Sequence, residues 1–218
     1  MSDYEVLVAE AEHLRIDKCK PAKAIEKYKQ ALAIGGEQDR QIKQMIGVCY
    51  RQLGHQDDAL EWHRQARLGA TSYEDGNILR DMAESYSASG QFIQAMSCLH
   101  QSLDKLSYVR HPAEHGATLG FLARTELRMD KIAEAVKHSA VADAILHQEE
   151  NRHFELYNKL PYAAALSLNG QWIKARLVVL SALKLAFSYG AGKHRLHAIA
   201  LLLGGHRPED FLKQRYRH

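Results

Sequence analysis

The chain has 218 residues and a mass of 24.7 kDa, enough for one sizeable domain or one long array. Its 46% hydrophobic and 25% charged residues, with only 4 Pro and scattered Gly, exclude wholesale disorder and collagen-like or low-complexity character. Mean hydropathy is −0.38, no apolar run approaches the roughly 18 to 20 residues of a membrane-spanning helix, and the acidic start Met1-Ser2-Asp3-Tyr4-Glu5 lacks a secretion signal's pattern.

Three cysteines, Cys19, Cys49 and Cys98, are far apart and form no C-x-x-C pair. Buried thiols in a reducing compartment such as the cytoplasm are therefore expected, with no disulfide framework and no zinc site. The net charge of +3 is uneven. Residues 151–218 carry 11 Lys and Arg against 3 Asp and Glu, whereas 1–150 carry 18 against 23. Such asymmetry can steer an acidic partner to one end, or arise by chance on a solvated surface.

Taken in chain order, the sequence repeats. Ala24, Ala59, Ala95, Ala135 and Ala175 follow one another at 35, 36, 40 and 40 residues. Seven residues after each stands Ala31, Ala66, Ser102, Ala142 or Ala182. Twelve before the last four stands Gly47, Ala83, Ala123 or Ala163, and Ala11 stands thirteen before the first. Five before the last four come Gly54, Gly90, Asp130 and Gly170. This pattern predicts helical hairpins: small residues let two helices approach closely, and Gly ends the first helix in a left-handed cap. The stretch Ala83–Ala88 followed by Gly90-Gln91-Phe92-Ile93-Gln94-Ala95 reads as helix, tight turn, helix. Leu7, Leu14, Tyr28, Ile46, Tyr50, Leu79, Tyr86, Leu99, Leu119 and Leu122 are the candidate core.

Later units depart from the pattern. In the fourth, Asp130 replaces the turn Gly and Glu126 replaces a core residue. In the fifth, Pro161 should kink the first helix or delay its start. A partial sixth unit runs from Ala198 to Gly205, with Asp210 where a small residue is expected. Residues Pro208–Tyr216 then form a capping helix, with Phe211 and Leu212 packed down to close the array.

These residues resemble the tetratricopeptide repeat family over about 3–205, in its expanded 35–40-residue form. That form is similar to repeats of kinesin light chains and of sensor domains in bacterial regulators. The resemblance implies an all-α fold: a right-handed superhelical solenoid of antiparallel helix pairs, about five units plus the partial sixth, in a single domain spanning 1–218. It also implies a concave face made by the first helix of each unit, where a ligand docks. On that face lie Gln44, Val48, Arg51, Asn77, Arg80, Glu84, Arg124 and Arg128, with Gln41, Gln52, Ser87, Ala88, Gly120, Leu127, Leu160, Ala164, Ser167 and Leu168 extending it. A family subgroup grips acidic chaperone tails with a Lys-Asn-Asn-Lys-Arg clamp. The matching places here hold Val8, Glu12, Met45, Asn77 and Asp81, or equally unsuited sets in later units, so that ligand is rejected.

Motifs for chemistry are missing: H-E-x-x-H, G-x-S-x-G and a dinucleotide loop do not occur. Gly190-Ala191-Gly192-Lys193 lacks the remainder of a phosphate loop and reads as a turn. The spacing of His111 with His115, and of His194 with His197, permits a shared helix face but brings no third ligand; exposed histidines are expected. Trp62 and Trp172 should pack between units. No enzyme activity, cofactor or metal is expected.

The favoured function is a non-enzymatic scaffold or adaptor binding a protein or peptide segment, with the arginines suited to an acidic one. In the blander account Arg80 and Arg124 pair with Glu84 and Glu126 inside the groove. The alternative function is a peptide- or small-ligand sensor acting through a partner. A lesser one is nucleic-acid binding through Arg195, Arg207, Lys213, Arg215 and Arg217, with Tyr216 to stack. Self-association between the acidic and basic parts is a further use of the charge asymmetry, and no membrane partner is expected.

Overall fold

The computed structural model describes residues 2–16 and 18–189, and for Tyr189 the backbone alone. The expectations for the sixth unit, the capping helix, the Gly190–Lys193 turn, the His194 and His197 pair and the basic residues from Arg195 onward lie outside these residues. Among the described residues the chain is all α-helix. In order the helices are α1 (Asp3–Ile16), α2 (Pro21–Ile34), α3 (Asp39–Gln52), α4 (Gln56–Arg67) and α5 (Ser72–Ala88). They continue with α6 (Phe92–Lys105), α7 (Pro112–Arg128), α8 (Ile132–Gln148), α9 (Arg152–Leu168) and α10 (Trp172–Tyr189). Odd-numbered helices are the first of each pair and even-numbered helices the second. The fold class is an all-α helical-repeat solenoid.

The repeating small residues sit where the helices meet. Ala24, Ala59, Ala95 and Ala135 are fully buried on the second helices, and Ala175 is nearly so. Ala31, Ala66, Ser102, Ala142 and Ala182 are fully buried one face-repeat later, and Ala11, Gly47, Ala83, Ala123 and Ala163 are buried on the first helices. A small side chain at these crossings sets the interaxial distance and leaves the larger residues to fill the space on either side.

The turn register is equally consistent. Gly54, Gly90 and Gly170 have φ of 84°, 78° and 75°. Asp130 keeps the same left-handed conformation at φ 62°, so the turn persists without glycine. Cys19, five residues before Ala24, adopts φ 49° and supplies the corresponding turn of the first hairpin.

Two compact units divide the chain, one ending at Cys98 and the other beginning at Leu99. In the first, Ala11, Ala24, Tyr28, Ala31, Ile42, Ile46 and Cys49 form a fully buried cluster flanked by Leu7, Leu14, Tyr50 and Trp62. Each large apolar side chain so buried contributes roughly 1.5–3 kcal/mol. Helix α5 starts with a capping box, in which the Thr71 hydroxyl accepts from the Glu74 amide and Glu74 accepts from the Thr71 amide. In the second unit, Leu156, Leu160, Ala163, Val179, Ala182 and Ala186 pack α9 on α10. Leu127, Ala135, Ala164 and Ala165 pack α7, α8 and α9 together.

Pro161 does not delay the start of its helix. Helix α9 begins at Arg152, nine residues earlier, and continues through it to Leu168. Pro161 has no N–H to give to the Tyr157 carbonyl, and its side chain is buried. Trp172 also differs: it is 58% exposed at the start of α10, whereas Trp62 packs against the first core as expected.

Candidate functional site: the first-helix faces

In the first unit, three polar rungs tie α3 to α5. Arg40 Nη1 donates to Glu74 Oε2 at 2.7 Å, Gln44 Nε2 to Asp81 Oδ2 at 2.6 Å, and Arg51 Nη1 to Glu84 Oε2 at 2.9 Å. The partners are 34, 37 and 33 residues apart, about one repeat. Each rung therefore spans neighbouring first helices. Glu84 and Arg80 are each 7% exposed and Val48 is 8% exposed, so these three expected surface residues are buried. Arg51 and Gln44 are half-buried, and Gln41 and Gln52 are exposed. Asn77 is half-buried and donates to the Tyr73 carbonyl at 3.1 Å. Beside the start of α3 lies an open polar cleft of about 380 Å³, lined by Glu37, Asp39, Arg40, Lys43, Gln65 and Glu74 among others.

In the second unit, Arg124 is only 4% exposed. Its guanidinium lies 4.6 Å from the Phe121 ring centre and 4.2 Å from that of Tyr157, and it donates to the Tyr157 hydroxyl. The planar, weakly hydrated guanidinium suits such an aromatic slot, which an ammonium would fill poorly. Glu126, expected as a counter-charge within the groove, meets Nδ1 of His138 on α8 at 2.7 Å. Leu127 is buried and Arg128 half-buried at the end of α7. At Gly120 a Cβ would come within 3.1 Å of Asn158 Oδ1, which measures how closely α7 and α9 approach.

Below this face a charged cluster joins α8 and α9. Lys159, 5% exposed, reaches both Asp143 oxygens at 2.9 and 3.1 Å and Glu155 at 3.3 Å. Glu155 also meets His147 and Arg152, each at 3.2 Å. Burial pushes the Glu155 carboxyl up, but the Lys159 charge and these hydrogen bonds outweigh it and hold the group below the usual carboxylate range. Asn158, also buried, donates to the Ser139 carbonyl at 3.0 Å.

The buried titratable groups are set for structure. Burial pushes the Cys49 thiol up to about 12, so it stays protonated and unreactive at neutral pH. It pushes His63 down to about 4, so the ring is neutral. His63 is fully buried, unlike the exposed histidines expected, and His111 and His115 are half-buried. His115 Nδ1 lies 2.8 Å from the Leu106 carbonyl, and His111 stands just before α7. Among the described residues no group of three or more His, Cys, Asp or Glu could hold a metal ion. None of their helices is long and apolar enough to cross a membrane.

Tyr157, Lys159, Asp143 and Asn158 went unrecognised in the sequence. A signal existed: Arg124 and Tyr157 are 33 residues apart, as are Arg51 and Glu84. Polar residues 33 to 37 positions apart thus meet across adjacent first helices.

No family model matches the chain, and no curated protein matches it by sequence. Solved structures do match. The crystal structure of a kinesin light chain from Podosopora anserina with nearly identical TPR-like repeats is similar at a TM-score of 0.61 and 20% identity, covering 87% of this chain and 99% of that one. A Rap protein complexed with Competence and Sporulation Factor is similar at a TM-score of 0.83 and 14% identity. That match covers 98% of this chain, which spans only 64% of the Rap protein. The apo form of RapI is similar at a TM-score of 0.72 and 11% identity, covering 99% of this chain and 82% of that one. At such identities the likeness is one of fold. By that fold the chain is a tetratricopeptide-like helical-repeat protein.

Proposed function

We propose that the chain is a non-enzymatic protein-interaction scaffold whose first-helix faces take up a protein or peptide segment. In the first unit the half-buried Gln44, Arg51 and Asn77 would meet a ligand, with Val48, Arg80 and Glu84 fixing the surface beneath them; in the second unit Arg128 would do so beside the buried Arg124. The observation that carries this reading is the set of rungs from α3 to α5, above all Arg51 on Glu84. Side chains already fixed in the free protein lose little rotamer freedom on binding, so a ligand docks at lower entropic cost. Arg51, although it already meets Glu84, and Arg128 place guanidinium groups on these faces, a chemistry that suits carboxylates and favours an acidic segment. Cys49 and Cys98 are buried as expected and Cys19 is exposed; that the three form no disulfide fits a reducing compartment such as the cytoplasm.

Photo-crosslinking tests this directly. A crosslinking residue at Gln52 or Arg128 should capture a lysate protein through a peptide rich in Asp and Glu. The same residue at Glu26 or Lys137, on the outward faces of second helices, should not. Capture from the second helices alone would defeat the assignment.

The likeness to a Rap protein solved with Competence and Sporulation Factor favours a second reading, a ligand sensor whose output a partner supplies. A ligand-induced rise in melting temperature accompanied by compaction in X-ray scattering would support the sensor over the rigid scaffold.

A further inference from the structure

At two positions of its outward side, Leu177 and Leu180, helix α10 differs from α2, α4 and α6. Ile173, Leu177 and Leu180 are 58%, 60% and 50% exposed, and Lys184 follows in the same line. Separations of 4, 3 and 4 residues put these side chains on one stripe, about 16 Å long. The buried face of the helix, carried by Ala175, Val179, Ala182 and Ala186, points the opposite way.

The stripe is not the face on which a following repeat stacks. The positions matching Leu177 and Leu180 hold Glu26 and Lys29 on α2, Glu61 and Arg64 on α4, and Ser97 and His100 on α6. All six are exposed although further helices follow each. A register that is polar and solvated in these earlier repeats has become apolar in the last described one. No acidic residue occurs on α10, which carries Lys174 and Arg176 on either side of the stripe. Arg176 lies 5.8 Å from the ring centre of the exposed Trp172.

We propose that the outward face of α10 docks an amphipathic helix of a partner protein, one with an apolar seam and acidic flanks. The 4–3–4 spacing is that of a helix–helix seam, into whose holes a facing helix sets its own knobs. The cations along the edges, and Lys184 within the line, select Glu or Asp opposite them. A second copy of the chain docked through the same face would bring the same cations against one another. A lipid surface would not require the seam spacing, and Lys184 interrupts the apolar line it would enter.

The test uses the full chain and two synthetic three-heptad helical peptides with Leu at the seam positions, one flanked by Glu and the other by Lys, read by fluorescence anisotropy. The Glu-flanked peptide should bind at least roughly tenfold more tightly than the Lys-flanked one. The double variant Leu177→Ser, Leu180→Ser should weaken that binding by about thirtyfold or more. Lys184→Glu should narrow the preference between the two peptides. All the substituted residues are exposed, so an unchanged thermal melt will establish that the fold is intact. Equal binding by the double variant, or no discrimination between the peptides, would overturn the proposal. So would a dimer mass in light scattering that the double variant abolishes, or stripe-dependent binding to phosphatidylglycerol vesicles without affinity for either peptide.

Discussion

A Cβ built on Gly47 would stand 2.5 Å from both Cδ2 and Nε2 of His63, so α3 and α4 cross with a bare backbone against an imidazole face. His63 has no exposed surface and therefore no open space into which to retreat. Gly47→Ala should cost about 1–3 kcal/mol through overpacking, despite the gain in helix propensity. Adding His63→Ala should recover part of that loss, making the two changes non-additive. Urea denaturation of the four chains measures the coupling; strict additivity would mean that the crossing is looser than described.

Acid should destabilise the protein through the same histidine. Burial lowers His63 from its ordinary 6.5 to about 4, against the opposing pull of Asp81. Above pH 6.5 the ring is neutral in both states and adds no pH dependence. As pH falls from 6.5 toward 4, the unfolded chain takes up a proton that the folded chain refuses. Stability then drops by on the order of 3 kcal/mol in total, with the change complete below about pH 4. Denaturation midpoints at pH 7 and pH 5 should separate in the wild type and draw together in His63→Leu. Equal separation in both would remove His63 as the cause.

Lys159 should be among the costliest charges to delete. Lys159→Met leaves the carboxylates of Asp143 and Glu155 without their shared cation in a buried setting, a loss of about 3 kcal/mol. Glu155 titrates below its ordinary value in the intact protein, so its contribution is present above that ordinary value and is lost as pH falls through the depressed one. Without Lys159 the carboxyl should titrate higher, and the variant should regain ground on the wild type in acid. NMR titration of the Glu155 carboxyl checks the shift, and an unmoved titration would contradict the cluster.

Asp130 holds a left-handed turn that three other hairpins give to glycine. Asp130→Gly should stabilise by about 0.5–1 kcal/mol by relieving the positive φ. Gly90→Ala and Gly170→Ala, where a Cβ meets nothing within 4 Å, should each cost about 1 kcal/mol from backbone strain alone. Thermal melts of the three variants test the sign. A destabilised Asp130→Gly would show that the aspartate side chain supports the turn.

The architecture was legible because its determinants are local and recurrent. Ala59, Ala95 and Ala135 mark one helix crossing, and Gly54, Gly90 and Asp130 mark one turn. Cys19 kept that turn register yet escaped notice, since only its backbone angle gives it the role. The first-helix face was legible as a set of positions but not in its exposure. Arg124 looked like a surface arginine because its aromatic slot is built by Phe121 and by Tyr157, which lies 33 residues away. For Glu84 the sequence suggests Arg80 or Arg124 as a partner and gives no sign of Arg51, which meets it from α3. The exposed stripe of α10 was visible as apolar residues, but only the solvated counterparts on α2, α4 and α6 show that its face points outward.

The most direct test of the proposed scaffold is a peptide-array scan of the partner captured from Gln52 or Arg128. The account predicts that one contiguous, acidic stretch of the partner retains binding, and that neutralising its carboxylates abolishes it. Binding confined to the folded partner, with no linear stretch retained on the array, would contradict a first-helix face that takes up a polypeptide segment.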